Sequence, residues 1–253
     1  MRDSKVRFSD RVNDYKKFRP TYPPGVVSFI LDNCPVAKDW KIADIGSGTG
    51  ISTKLFLDGL KCSIYAVEPN KDMRMASEES LKDNSLFSSV DGCAENTNLP
   101  NNSIDMIAAF QAFHWFDKPK TRIEFARILK EPKWVVFVWN DRIITGKPFL
   151  EGYEELMRSI PEYGKVSHKD ISSEIIADFL CDKELKVAHF PKIQEFDFEG
   201  LKGRLFSSSY TPGEGTEERR IVTQKLKELF DKFNTNGLIE LEYRTDIYLG
   251  RLQ

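Results

Sequence analysis

Asp44 closes the apolar run Ile42-Ala43-Asp44-Ile45, and Gly46, Gly48 and Gly50 follow at alternate positions around Ser47 and Thr49. Glycine has no Cβ to prevent a sharp turn or the close approach of a ligand. The stretch therefore reads as a strand that stops in a tight turn and opens a helix beside a bound molecule. Tyr65-Ala66-Val67-Glu68-Pro69 ends the next strand, and it places Glu68 where a carboxylate can accept from two ribose hydroxyls. Together the two signals point to a nucleoside-bearing cofactor.

A second group of residues could serve whatever reacts beside that cofactor. His114 and Trp115 follow the strand Ile104–Phe110 at the carboxyl edge of the sheet, where ligands bind in open α/β folds. His114 is the candidate general base for an acceptor that must lose a proton. The entry segment carries Tyr15, Phe18, Arg19 and Tyr22, a mixture suited to a lid: aromatic rings shield a cation while arginine attracts an anion. Arg204, Ser209 and Tyr210 form a further candidate acceptor-binding set, whereas His168 and His189 read as surface or linker residues.

Strands and helices that alternate along the chain must position these residues. Strands are expected at Lys41–Ile45, Ser63–Val67, Phe87–Val90, Ile104–Phe110 and Trp134–Trp139, with helices between them. Asp117 is placed to cap the helix that runs to Lys130, with Pro119 in its first turn. Trp134–Trp139 is apolar on consecutive positions, as in a strand covered on both faces. Five such alternations imply a doubly wound parallel sheet. After Asn140 the rhythm breaks into helices at Phe149–Ser159 and Asp170–Leu180, a late alternating stretch at Lys192–Phe198, an amphipathic helix through Val222–Phe233 and a terminal strand or hairpin over Leu238–Gly250. The expected organisation is a lid segment (1–22), a Rossmann-like core (23–145), a helical cap insertion (146–186) and a C-terminal part that completes the sheet and adds cap helices (187–253).

The 253 residues are 40% apolar and 30% charged, a composition that allows one large α/β domain. A formal net charge of −2 gives no basic footprint for nucleic acid, and the longest apolar run is far too short to span a bilayer. Met1–Pro20 is studded with charge and does not read as a leader, and Cys34, Cys62, Cys93 and Cys181 have no metal or redox spacing. A cytoplasmic protein, monomer or homodimer, without metal, membrane or nucleic-acid partner, is the expectation.

The coincidence of Asp44…Gly46-Ser47-Gly48-Thr49-Gly50, Glu68, and Ala94-Glu95 before Leu99-Pro100 resembles the class I S-adenosylmethionine-dependent methyltransferases. Glycines spaced G-x-G-x-G favour that class over nicotinamide enzymes, which usually carry G-x-G-x-x-G. Tyr15–Pro23, Gln111…His114-Trp115-Phe116 and Tyr243-Arg244-Thr245…Tyr248-Leu249-Gly250 are similar to the trans-aconitate methyltransferase-like, type 11 small-molecule branch. The resemblance implies a seven-stranded, mostly parallel Rossmann-like sheet with its last strand antiparallel. It also implies that Gly46, Ser47, Gly48 and Gly50 line the methionine and ribose portion and that Asp44 meets the amino end, directly or through water. Glu68 would clamp the ribose, Pro69 and Met73 would pack on the adenine, and Cys93, Ala94 and Glu95 would border its edge, with Gln111 nearby. Cys93 stands where many relatives carry an acidic residue. The acceptor set would be Tyr15, Arg19, Tyr22, His114, Trp115, Arg204, Ser209 and Tyr210, and the expected reaction is methyl transfer to a small molecule, with a carboxylate oxygen preferred. A nicotinamide-dependent oxidoreductase and a catalytically silent binding protein on the same fold are the alternatives.

Overall fold

The computed structural model describes residues 17–163, 171–208 and 210–253. The alternation expected from the sequence is present as α1 (Gly25–Asn33), β1 (Lys41–Ile45), α2 (Ile51–Gly59), β2 (Ser63–Val67), α3 (Lys71–Leu81), β3 (Phe87–Val90), β4 (Ile104–Phe110), α4 (Lys118–Ile128) and β5 (Leu129–Arg142). There follow α5 (Pro148–Arg158), α6 (Ser173–Leu180), β6 (Lys186–Phe196), α7 (Phe198–Phe206), α8 (Glu217–Phe233) and β7 (Ile239–Arg251). Asp117 caps α4 as expected, its side chain accepting from the Lys120 N–H, and Asn70 caps α3 in the same way through Met73.

The seven strands form one sheet in the order β3-β2-β1-β4-β5-β7-β6. Strands β1 to β5 pair in parallel, and β7 runs antiparallel to both of its neighbours. All turns at one edge of the parallel strands therefore lie together, and the glycine turn after β1 sits beside the ends of β2 and β4. Burial on both faces explains why β1, β4 and the middle of β5 are runs of consecutive apolar residues.

One face of the sheet packs on α1 and α2 through Val26, Ile30, Phe56 and Leu57. The other face packs on α4 and α6, where Phe179 meets Phe113, Phe125 and Phe137 edge to face. A third apolar cluster, above the sheet's carboxyl edge, joins α5, α7 and α8 through Leu150, Tyr153, Leu201, Leu205, Leu226 and Phe230. This cluster is the cap.

Four elements depart from the sequence reading. Strand β5 spans Leu129–Arg142 where Trp134–Trp139 is expected, so that α4 stops at Ile128 and not Lys130, α7 forms in a stretch read without a helix, and α6 and β6 are placed differently. Helix α6, expected within the cap insertion, packs against the sheet beside α4, because Ile176, Phe179 and Leu180 give it a stripe that continues the phenylalanine core. Strand β6 starts at Lys186, well before the alternating stretch at Lys192–Phe198. It lies at the edge of the sheet, carries Pro191 and buries only its last residue, so its apolar pattern is faint. Leu238–Gly250 is covered by a single strand, with no hairpin. Among the described residues, no helix is long and apolar enough to cross a membrane.

Candidate active site

The turn after β1 is built by backbone bonds and left-handed glycines. The N–H groups of Gly46 and Ser47 both donate to the Val67 carbonyl at the end of β2, at 2.8 and 3.2 Å. Gly46 and Gly48 have φ of +70° and +56°, a region that side-chain-bearing residues rarely adopt. Below the turn, fully buried Asp44 accepts from Ser52 Oγ and Thr53 Oγ1, both at 2.7 Å and both on Oδ2. Burial pushes its carboxyl up to about 6 against the opposing effect of those two hydroxyls. Glu68 accepts from the Gly48 N–H at 2.9 Å and the Asn70 N–H at 2.8 Å, one on each oxygen. Burial raises its carboxyl above the ordinary value, while the backbone bonds partly offset that rise.

Two cavities flank the turn. One, of about 290 Å³, is lined by Gly46, Gly48, Glu68, Pro69, Met73, Cys93, Ala94, Glu95 and Phe116. The other, of about 340 Å³, runs from Gly46–Thr49, Ile51 and Ser52 past His114 to Arg19, Tyr22, Arg142, Tyr163, Arg204, Tyr210 and Tyr243. They meet at Gly46, Gly48, Phe110, Gln111 and Trp115. Gln111 holds this junction in a left-handed backbone conformation (φ +53°), pinned by its N–H to the Val138 carbonyl and its Nε2 to the Asn140 carbonyl, each at 2.9 Å. Asn140 in turn accepts from Thr245 Oγ1 and donates to the Thr21 carbonyl, so the entry segment is tied to the sheet edge.

The second cavity is polar and cationic along its outer wall. Arg142, at the end of β5, donates to Glu154 Oε2 at 2.6 Å, and Glu154 also accepts from Tyr163 Oη and Arg158 Nε. Burial opposes ionisation of Glu154, yet those three donors outweigh it and hold the carboxyl at about 2. Arg204, on α7, donates to Tyr243 Oη at 3.0 Å and to Ser208 Oγ at 3.4 Å. Among the described residues no carboxylate lies within ion-pair distance of Arg204. Arg19 Nη2 donates to the Ser207 carbonyl of the cap at 3.3 Å.

Most residues singled out from the sequence border these cavities. Glu68, Pro69, Met73, Cys93, Ala94, Glu95 and Gln111 line the first, while Ser47, Arg19, Tyr22, His114, Trp115, Arg204 and Tyr210 line the second. Asp44 and Gly50 do not. Asp44 binds the first turn of α2 through Oδ2 alone, and Gly50 caps that helix at φ +86°, packed against Ser77 and Leu81 of α3. Tyr15, Ser209 and His168 lie outside the described residues. His189 is away from both cavities, paired with Asp246 at 2.6 Å. Sequence reasoning missed Thr49, Ser52, Arg142, Tyr163 and Tyr243. Arg142 could have been found by extending β5 past its apolar run, since the strand continues through it.

The first cavity fits a nucleoside: an acid at a strand end, a turn whose glycines admit close approach, and apolar walls from Pro69, Met73 and Phe116. At the turn, Asp44 Oδ1, Ser47 Oγ and Thr49 Oγ1 are buried without a hydrogen-bond partner among the described residues, as expected of groups set to meet a polar ligand or its water.

Residues 43–137 match the model of a methyltransferase domain. An uncharacterized methyltransferase of Mycobacterium tuberculosis is 33% identical over 142 residues, covering 56% of this chain and 55% of the relative. The chain thus spans about half the length of the mycobacterial relatives it matches. An uncharacterized methyltransferase-like protein of Schizosaccharomyces pombe is 29% identical over 247 residues, covering 94% and 92% of the two chains. Among solved structures, one from Anaeromyxobacter dehalogenans, described provisionally as a type II methyltransferase, superposes with a TM-score of 0.69 at 19% identity, covering 93% of this chain and 98% of that one. That likeness is one of fold.

Proposed function

We propose that this chain, a class I S-adenosylmethionine-dependent methyltransferase by its domain and fold, moves a methyl group to a small molecule that carries a carboxylate. The observation that carries the reading is the junction at Gly46, Gly48, Gln111 and Trp115, where a cavity suited to a nucleoside opens directly into one walled by arginines. S-adenosylmethionine, when bound, supplies a methyl already activated on a positively charged sulfonium.

The protein's own part is to bind, orient and exclude water. Glu68 would hold the ribose, with Ala94 and Glu95 along the adenine edge and Cys93 contributing its backbone where relatives have an acid. Ser47 and Thr49 offer hydroxyls to the amino-acid end. Gln111 and Trp115 then frame the opening through which the acceptor atom reaches the methyl. Fixing two reactants in this way can contribute about 7–11 kcal/mol in well-aligned cases.

The acceptor's lone pair forms the new bond to the methyl carbon as the carbon–sulfur bond breaks, and that bond's electron pair stays on sulfur. A carboxylate oxygen needs no base for this step. A hydroxyl would give its proton to His114, which faces the same cavity. Arg19 and Arg204 favour an anionic molecule over an amine cation, which their charge would repel.

Calorimetric titration with S-adenosylmethionine tests the reading: binding in the micromolar range is expected, and no heat at near-millimolar ligand would sink it. A panel of small carboxylic acids, followed by release of S-adenosylhomocysteine, tests the acceptor class.

A further inference from the structure

We infer that the acceptor is a two-ended acid: its carboxylate is anchored on Arg204 at the outer end of the cavity, while a second nucleophilic group at the inner end, beside Gly48 and His114, takes the methyl. The inference rests on the methyltransferase reading and adds which end of the molecule reacts.

The sheet register sets the two levels. Phe110 pairs with Val138, and Asp44 lies level with Ala108 and Val136, so the glycine turn leaves the sheet at about the height of Val138. Tyr243 pairs with Arg142, four residues further along β5, or about 13 Å at roughly 3.3 Å per residue. Arg204 is fixed at that outer level by its 3.0 Å bond to Tyr243 Oη. Both ends open into one cavity, and an acceptor of two or three heavy atoms cannot touch both.

The charge pattern favours Arg204 over Arg142 as the anchor, with Arg19 bordering the same cavity. The partners of Arg204, Tyr243 Oη and Ser208 Oγ, are neutral. Arg142 is already matched by Glu154 at 2.6 Å. Asp141 also lines the cavity, but it belongs to the alternate face of β5, with Arg244 and Tyr248 as its electrostatic neighbours. A carboxylate held by a guanidinium has its lone pairs committed to charge-assisted bonds, which makes it a good handle and a poor nucleophile. It keeps its charge through the reaction, and the second group forms the bond to carbon.

The test is calorimetry on the protein saturated with S-adenosylhomocysteine, using 4-hydroxyphenylacetate and its uncharged twin 4-hydroxyphenylacetamide. The acid should bind at least about tenfold more tightly than the amide. Arg204→Met should shrink that preference to within about twofold, and Arg204→Lys should keep part of it. S-adenosylhomocysteine affinity should change by less than about twofold in either variant. With S-adenosylmethionine, mass spectrometry should find the methyl ether and not the ester. If S-adenosylhomocysteine does not bind the unaltered protein, the methyltransferase reading fails. If it binds but acid and amide bind alike, or neither binds, or Arg204→Met keeps the preference, or the ester forms, the anchoring inference alone is overturned.

Discussion

The Gly48 N–H donates to Glu68 Oε2 at 2.9 Å, a bond across the 20 residues that separate the first glycine turn from the end of β2. With the Asn70 N–H on the other oxygen, Glu68 fixes both the turn and the entry to α3. Glu68 also lines the nucleoside-sized cavity.

Glu68→Ala should weaken S-adenosylmethionine binding about 10- to 100-fold, the effect of losing charge-assisted hydrogen bonds worth about 1.5–3 kcal/mol. Calorimetry measures it directly. An unchanged affinity would remove Glu68 from the cofactor site.

Asp44 makes stability depend on pH in the unusual direction. Its folded pKa of about 6 lies above the ordinary 3.8, so the folded state holds the proton more tightly than the unfolded one. That contribution is fully present below about pH 3.8 and is lost as pH rises through 6, amounting to roughly 3 kcal/mol. Asp44→Asn should therefore be more stable than the parent at pH 7.5 by up to about that amount, with the gap closing near pH 4. Urea melts at the two pH values decide it. Because Asp44 faces neither cavity, cofactor affinity should fall less than in Glu68→Ala.

Glu154 behaves the opposite way. Despite burial, its three donors hold it at about 2, below the ordinary 4.5, so its stabilisation is present above pH 4.5 and disappears as pH falls toward 2. Glu154→Gln leaves the Arg142 charge without its partner and should cost about 3–5 kcal/mol at neutral pH. The cost should fade on acidification, whereas an equal loss at all pH values would mean that packing, not charge, is at stake.

Gly46→Ala and Gly48→Ala should part company. A Cβ on Gly46 would lie 2.7 Å from the Ala112 Cβ, while one on Gly48 would meet only Met73 Sδ, at 3.5 Å. Both pay for positive φ, about 1 kcal/mol, but Gly46→Ala adds a clash in the core and should melt several degrees lower than Gly48→Ala. Gly48→Ala should fold and bind S-adenosylmethionine poorly. Thermal melts beside calorimetry separate the two.

The sequence is most readable in the first four strands; in β5 only the apolar middle, Trp134–Trp139, is legible, and the strand runs from Leu129 to Arg142. The expected ranges of β1, β2, β3 and β4 match the structure residue for residue, and the terminal strand came within one residue at either end. Legibility fell in β6, which carries Pro191 and buries only its last residue, and in α6, whose apolar stripe says that it packs but not against which layer. Glu68 and the turn could be read because their roles are local. Arg142 and Tyr243 could not, since their meeting depends on antiparallel pairing between residues a hundred positions apart. Asp44 illustrates a third limit: the sequence places an acid at the strand end but does not show that its Oδ2 takes the Ser52 and Thr53 hydroxyls of the following helix.

The cap draws α5 from before β6 and α7 and α8 from after it. The roof is thus not a detachable module: no single excision of contiguous chain removes it while leaving the seven strands intact. Changing what the outer cavity admits calls for residue-by-residue editing of walls contributed by several elements, not the exchange of one cassette.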